Sequence, residues 1–191
     1  MSEIFFCSDH HFNHDKEFVW KRRGFNSVEE MNETIVENHN QLVKPNDIVY
    51  MCGDLMLGPD TQAGLDYVRR MNGVKFLVVG NHDTDSRIEA YRESGLFQDI
   101  QFGYRLSVAK RHYLVTHYPT LVGNYDKIKL VNIHGHTHMP LKFEYNRQDI
   151  YNVSMEAQSC RPIDLDSIRR DIVDFRPLTK DEKIELRETS E

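Results

Sequence analysis

A chain of 191 residues with 39% hydrophobic and 28% charged side chains is long enough to bury one substantial core, and it is neither a disordered polar chain nor a membrane protein. Its 24 Lys and Arg against 30 Asp and Glu give a net charge of −6 with no long single-sign block, so no stable nucleic-acid partner is expected. No apolar run approaches the roughly 18 residues of a membrane span, and the first residues lack a basic start followed by a long apolar stretch; a cytoplasmic protein without a membrane partner is expected.

Short apolar runs repeatedly end in polar loops. Ile4–Cys7 runs into Ser8-Asp9-His10-His11, Asp47–Cys52 into Gly53-Asp54, and Lys75–Val79 into Gly80-Asn81-His82-Asp83. His112–Thr116 reaches His117, and Leu130–Ile133 reaches His134-Gly135-His136. Such continuous runs read as strands buried on both faces, each delivering polar residues at its C-terminal end. A later pair, Leu141–Tyr145 and Ile150–Val153, reads as a hairpin. Ser27-Val28-Glu29-Glu30 is a capping box opening a helix with Val28, Met31, Ile35 and Leu42 on one side. Leu65, Val68 and Met71 repeat that spacing before Asn72-Gly73, and Ser86–Glu89 is a second capping box for a helix ending at Ser94-Gly95. Leu165, Ile168, Ile172 and Phe175 predict a further helix. The expected class is α/β (α+β), with one domain over residues 1–178 and a charged tail over 179–191. Three cysteines, Cys7, Cys52 and Cys160, cannot all pair and show no Cys-x-x-Cys spacing, so they read as buried small hydrophobes.

The ten histidines are the informative count, because several stand beside Asp, Asn and Gly at the strand ends. Sheets of this kind bind ligands beyond the carboxyl ends of their strands. Carboxylate, imidazole and amide oxygen are donors for Mn, Fe and Zn, without a soft thiolate. Asp9-x-His11 and His136-x-His138 each place two donors where they can converge on one ion, and Asp54 has two oxygens with which to bridge two ions. Gly53, Gly80 and Gly135 precede candidate ligands, where a missing Cβ allows sharp turns.

The ordered series Asp9-x-His11, Gly53-Asp54, Gly80-Asn81-His82-Asp83, His117, Gly135-His136-Thr137-His138 resembles the calcineurin-like metallophosphoesterases. Ser8–His14, Lys44–Tyr50, Asn152-Val153-Ser154 and Arg161-Pro162-Ile163 add a resemblance to small bacterial and phage-type members. The resemblance implies two mixed β-sheets packed as a sandwich and flanked by helices. It also implies two divalent ions, with Mn expected and Fe, Ni, Co or Zn as alternatives. By position, Asp9, His11 and His138 would hold one ion and Asn81, His117 and His136 the other, with Asp54 bridging. His82 would protonate or stabilise the leaving oxygen, and Asp83 would orient His82. Two ions roughly 3.5–4 Å apart can clamp both oxygens of an in-line displacement, and metal-bound hydroxide then attacks phosphorus directly.

His14 and Asn81 are candidates for touching substrate. His10 and His134 flank ligands and read as structural. Arg22 and Arg23 could meet a phosphate, although an adjacent basic pair is usually a solvated face. Tyr118 either lines the pocket or packs, and the sequons at Asn32 and Asn152 lack a secretory context. The expected substrate is a small phosphate ester or nucleotide, a phosphodiester before a phosphomonoester. The alternatives are a phosphomonoesterase and a non-catalytic scaffold of the same fold; the latter loses metal ligands or the histidine, all of which are filled here.

Overall fold

The computed structural model describes residues 2–121, 130–179, 181 and 182. In chain order the elements are β1 (Ile4–Cys7), α1 (Glu17–Trp20), α2 (Val28–Leu42), β2 (Ile48–Met51), α3 (Thr61–Arg70), β3 (Val74–Val78), α4 (Asp85–Ser94) and β4 (Phe97–Gln101). They continue with β5 (Tyr104–Val108), β6 (Arg111–Val115), β7 (Leu130–His134), β8 (Ile150–Asn152), β9 (Ile163–Asp164) and α5 (Leu165–Asp174). One sheet has the order β4-β3-β2-β1-β9, the other β5-β6-β7-β8. Both are mixed: β1 to β4 run parallel with β9 antiparallel, and β6, β7 and β8 run parallel with β5 antiparallel.

Because side chains alternate along a strand, the first sheet feeds two cores. Phe5, Cys7, Val49, Met51 and Leu77 face Met31 and Ile35 of α2, Leu65 and Val68 of α3, and Tyr91 of α4. Phe6, Tyr50, Cys52 and Val78 point the other way, onto Tyr113, Val115, Val131, Ile133 and Tyr151 of the second sheet. The result is the two-sheet sandwich with flanking helices that the resemblance implies. Cys7, Cys52 and Cys160 are free and buried. Among the described residues no helix is long and apolar enough to cross a membrane.

Three local expectations are corrected. The first arm of the expected hairpin is not a strand. Phe143 makes a single antiparallel bridge to Tyr151, Glu144–Asn146 is a 3-10 turn, and β8 pairs in parallel with β7 instead. The α4 helix begins at Asp85 with Thr84 at its N-cap position, so Ser86 lies inside it and the second capping box does not form. In the first box Ser27 accepts the Glu30 N–H as expected, but the Glu30 carboxylate takes the N–H of Asn26. The strands β4 and β5 were not legible as apolar runs, since their residues are only partly buried. Most of the expected tail, residues 180 and 183–191, lies outside the described residues.

Candidate metal centre

The in-register pairing of β1 with β2 makes the two strands end level. Their loops stay paired beyond the strands: Asp9 N–H donates to the Gly53 carbonyl at 3.0 Å and His11 N–H to the Asp54 carbonyl at 3.1 Å. The second sheet reaches the same edge through a parallel bridge between Ser8 and Ser154. Turning the candidate side chains inward there strains the backbone. Asp9, His11, Asp54, His136 and His138 all have positive φ, between 52° and 72°. Each such non-glycine conformation costs roughly 1–3 kcal/mol and persists only where surrounding structure enforces it. Gly80 and Gly135 are required for close approach more than for turning. A Cβ on Gly80 would stand 2.2 Å from Asp54 Oδ1, and one on Gly135 would stand 1.9 Å from Ser8 Oγ and 2.4 Å from Asp9 Oδ2.

Two clusters result. Asp9, His11 and His138 bring donor atoms within 4.8 Å of one another, and Asp54, His117 and His136 do the same. Asp54 Oδ2 lies 3.5 Å from His117 Nε2 and 3.9 Å from His11 Nε2, so one carboxylate oxygen faces both clusters. Asn81 joins the second through Oδ1, 2.8 Å from His117 Nε2.

The hydrogen bonds fit a cation in each place. His117 Nδ1 meets the Cys52 carbonyl at 2.7 Å, and a carbonyl only accepts, so the proton is on Nδ1. In the neutral ring the lone pair on Nε2 then faces two oxygens, of Asn81 and Asp54. His138 repeats the arrangement: Nδ1 donates to Glu156 Oε1 at 2.8 Å, while Nε2 faces His11 Nε2 at 3.1 Å and Asp9 Oδ1 at 3.5 Å. Burial, then the charge of neighbouring imidazoles, lowers the pKa of His11 and of His136, which keeps their lone pairs free for a metal. Burial pushes the Asp9 carboxyl up to about 6 against the pull of His138 and His117. Burial opposes a charge on His138 too, but Glu156 and Asp9 outweigh it and raise that pKa. A pocket that draws a proton in between two carboxylates favours positive charge.

The residues behind the candidate ligands differ in part from expectation. Asp83 does not orient His82: its oxygens accept the N–H groups of Asp54 (2.9 Å), Leu55 (3.3 Å) and Gly80 (2.9 Å) and the Tyr91 hydroxyl (3.0 Å). It pins the Asp54 loop to the Gly80 loop. His82 is held by its own backbone, its N–H on Asp54 Oδ1 at 2.8 Å and its carbonyl on Arg87. Arg23 is no solvated charge either. Its side chain is 1% exposed, paired with Glu156 at 2.8 Å and donating to the carbonyls of Asp9 and His10. Glu156 was missed in the sequence, although it follows a strand end as the other polar residues do. Burial alone would raise its carboxyl, but His138 and Arg23 hold it at about 2. Asn152, part of the Asn152-Val153-Ser154 segment of the resemblance and also a sequon, is fully buried and donates to the Met139 carbonyl and to Thr137 Oγ1, bracing the His136–His138 turn. Asn32, the other sequon, is also buried. Replacing Arg23 with alanine leaves Glu156 buried beside His138 with one partner fewer, and should destabilise the fold by about 3–5 kcal/mol. Denaturant unfolding checks this, and a loss below about 1 kcal/mol would contradict the pinning role.

The other singled-out residues separate cleanly. His10 is fully buried and stacked on Phe12, with its pKa lowered by burial to about 3, and His134 is tied to the Gly135 carbonyl. Neither belongs to a cluster. His14 packs against His11 with ring centres 5.4 Å apart. Tyr118, half exposed, meets His136 at 4.6 Å and His117 at 5.0 Å, edge to face.

The sequence model of the calcineurin-like phosphoesterases matches residues 2–182, and the chain belongs to that family. It is 33% identical over 180 residues to the uncharacterized protein MJ1445 of Methanocaldococcus jannaschii, covering 88% of this chain and 90% of that one. It is 29% identical over 168 residues to the gene 66 protein of Mycobacterium phage L5, covering 74% and 80%. The crystal structure of AQ665, a protein of unknown function from Aquifex aeolicus, shares the fold with a TM-score of 0.66 at 24% identity, covering 89% of this chain and 99% of that chain. Family membership together with the two donor clusters supports a metal-dependent phosphoesterase acting on phosphate esters.

Proposed function

We propose that the protein is a dimetal phosphohydrolase that cleaves phosphodiesters, nucleotide-derived ones above all, by direct attack of water on phosphorus. The carrying observation is the pair of clusters facing one carboxylate, with the half-exposed imidazole of His82 beside them, its Nε2 4.0 Å from Asp54 Oδ2. Asp9, His11 and His138 would hold one ion, Asn81, His117 and His136 the other, and Asp54 both. Two divalent ions, when bound, supply positive charge for the phosphoryl oxygens and acidify a water to serve as nucleophile. The nitrogen and oxygen donors suit Mn, and also Fe, Ni, Co or Zn.

The chain's own residues divide the remaining work. His82 stands free of both clusters and can hand a proton to the departing alkoxide. His14 and Asn81 border the place where a phosphate would lie. The preference for diesters rests on charge. Arg23 is consumed by Glu156, while Arg22 and Arg161 line a separate cleft, so no guanidinium among them is added at the cluster edge. A monoester dianion needs such help more than a diester monoanion. Two exposed aromatic rings favour nucleotide arms: Tyr118 against His136 and His117, and Phe18 edge-on to His14. Base–aromatic stacking contributes about 1–3 kcal/mol per base.

The test compares kcat/KM for bis(p-nitrophenyl) phosphate and p-nitrophenyl phosphate with the same metal and pH. The diester should lead by about tenfold or more, a difference of 1.4 kcal/mol in transition-state stabilisation. A clear lead for the monoester would overturn the diester preference and leave the dimetal assignment standing.

A further inference from the structure

Behind His138 the surface opens into a cleft of about 740 Å³ whose lining includes Arg22, Arg23, Phe25, Asn38, Glu156 and Arg161. That volume suits a nucleotide-sized group. The cleft shares a wall with the metal centre, since the Glu156 carboxylate that lines it takes the Nδ1 proton of His138 at 2.8 Å. Glu156 is the one acid in the lining, against three arginines. Its charge is answered by Arg23 and His138, from which it accepts hydrogen bonds. Arg22 and Arg161 make no ion pair with any described residue, so the cleft carries surplus positive charge on a chain whose net charge is −6. Arg161 is brought to the rim by a strained turn: Ser159 and Cys160 have φ of 52° and 55°. Asn38 Nδ2 holds that turn by donating to the Cys160 carbonyl at 3.2 Å.

We propose that this cleft is a second-phosphate subsite. Resting on the phosphodiesterase reading, it deepens that reading to a substrate class: diesters with a further phosphate on one arm, such as phosphorylated dinucleotides or the ends of short oligonucleotides. Arg22 and Arg161 would clasp that phosphate with charge-assisted hydrogen bonds, while the scissile phosphate lies at the metal clusters one side chain away. The terminal phosphate is read and left intact; the bond cleaved is the ester between the two units. The guanidiniums act on binding, not on the reacting atoms.

The experiment measures kcat/KM of Mn-loaded protein for the thymidine dinucleotide TpT and for its 5′- and 3′-phosphorylated forms. One phosphorylated form should lead TpT by about tenfold or more, the worth of one or two charge-assisted hydrogen bonds. In Arg22→Ala/Arg161→Ala that ratio should fall towards one. Both side chains are on the surface, and matching thermal melts establish that the double variant is folded. A ratio of one in the wild type, or a ratio that survives the double substitution, overturns the subsite. If no diester is cleaved, the phosphodiesterase reading fails separately, and the cleft is judged by binding alone. Calorimetric titration with thymidine 3′,5′-bisphosphate should then show about tenfold weaker binding to the double variant, and equal binding overturns the subsite.

Discussion

His82→Ala should lower kcat by about 10²–10⁴ while metal content stays at the wild-type level, because the imidazole is assigned to proton transfer and not to ligation. His82 lies outside both donor clusters, and its Nε2 is 4.0 Å from Asp54 Oδ2, a contact that needs no shared ion. What fixes its place is main chain: the N–H on Asp54 Oδ1 and the carbonyl on Arg87, both of which survive the substitution. The deficit should grow as the leaving group becomes more basic, since a poor leaving group depends most on a proton donor. A p-nitrophenyl ester should therefore lose least and a nucleoside ester most. Loss of metal from His82→Ala on a par with that from His136→Ala would make it a ligand and refute the role.

The positions of the candidate ligands were readable in the sequence because apolar strands are continuous there and polar residues begin abruptly at their ends. Asp9, Asp54, His117 and His136 each follow such a run, and a parallel sheet delivers those ends to one edge. The backbone conformation was not readable. An Asp-x-His pair is compatible with extended chain, whereas Asp9 and His11 both take left-handed φ, a state stabilised by the paired Gly53–Leu55 loop far away in sequence. The bracing residues were hidden for a related reason. Asp83 sits next to His82 in sequence, which suggested a partnership, but its carboxylate turns to three backbone N–H groups and Tyr91. Arg23 and Glu156 are 133 residues apart, and only the fold makes them a pair. The strands β4 and β5 escaped for lack of buried side chains. The expected hairpin failed because β8 finds its partner in β7, leaving Phe143 a single bridge.

Asp54→Asn should do the most damage of any change at a single proposed ligand, lowering activity by about 10³-fold or more through the loss of several kcal/mol of metal-dependent stabilisation. The substitution is nearly isosteric and keeps Oδ1 as acceptor for the His82 N–H, so the loop geometry is preserved. What it removes is the negative oxygen that faces His117 and His11 at 3.5 and 3.9 Å. Elemental analysis of Mn-reconstituted protein should give close to two ions per wild-type chain and fewer in the variant. Stability supplies a readout independent of turnover. Asp9, Asp54 and Asp83 are all buried, and burial raises the pKa of Asp9 and of Asp83, the mark of carboxylates short of compensating charge. Adding Mn to metal-free wild type should therefore raise Tm, by the equivalent of about 2.7 kcal/mol at a hundredfold excess over Kd. Metal-free Asp54→Asn, relieved of one buried anion, should melt no lower than metal-free wild type, yet gain much less from Mn. Wild-type saturation at one ion with full activity would refute the dimetal assignment, and an undiminished Tm gain in the variant would remove Asp54 from the bridging position.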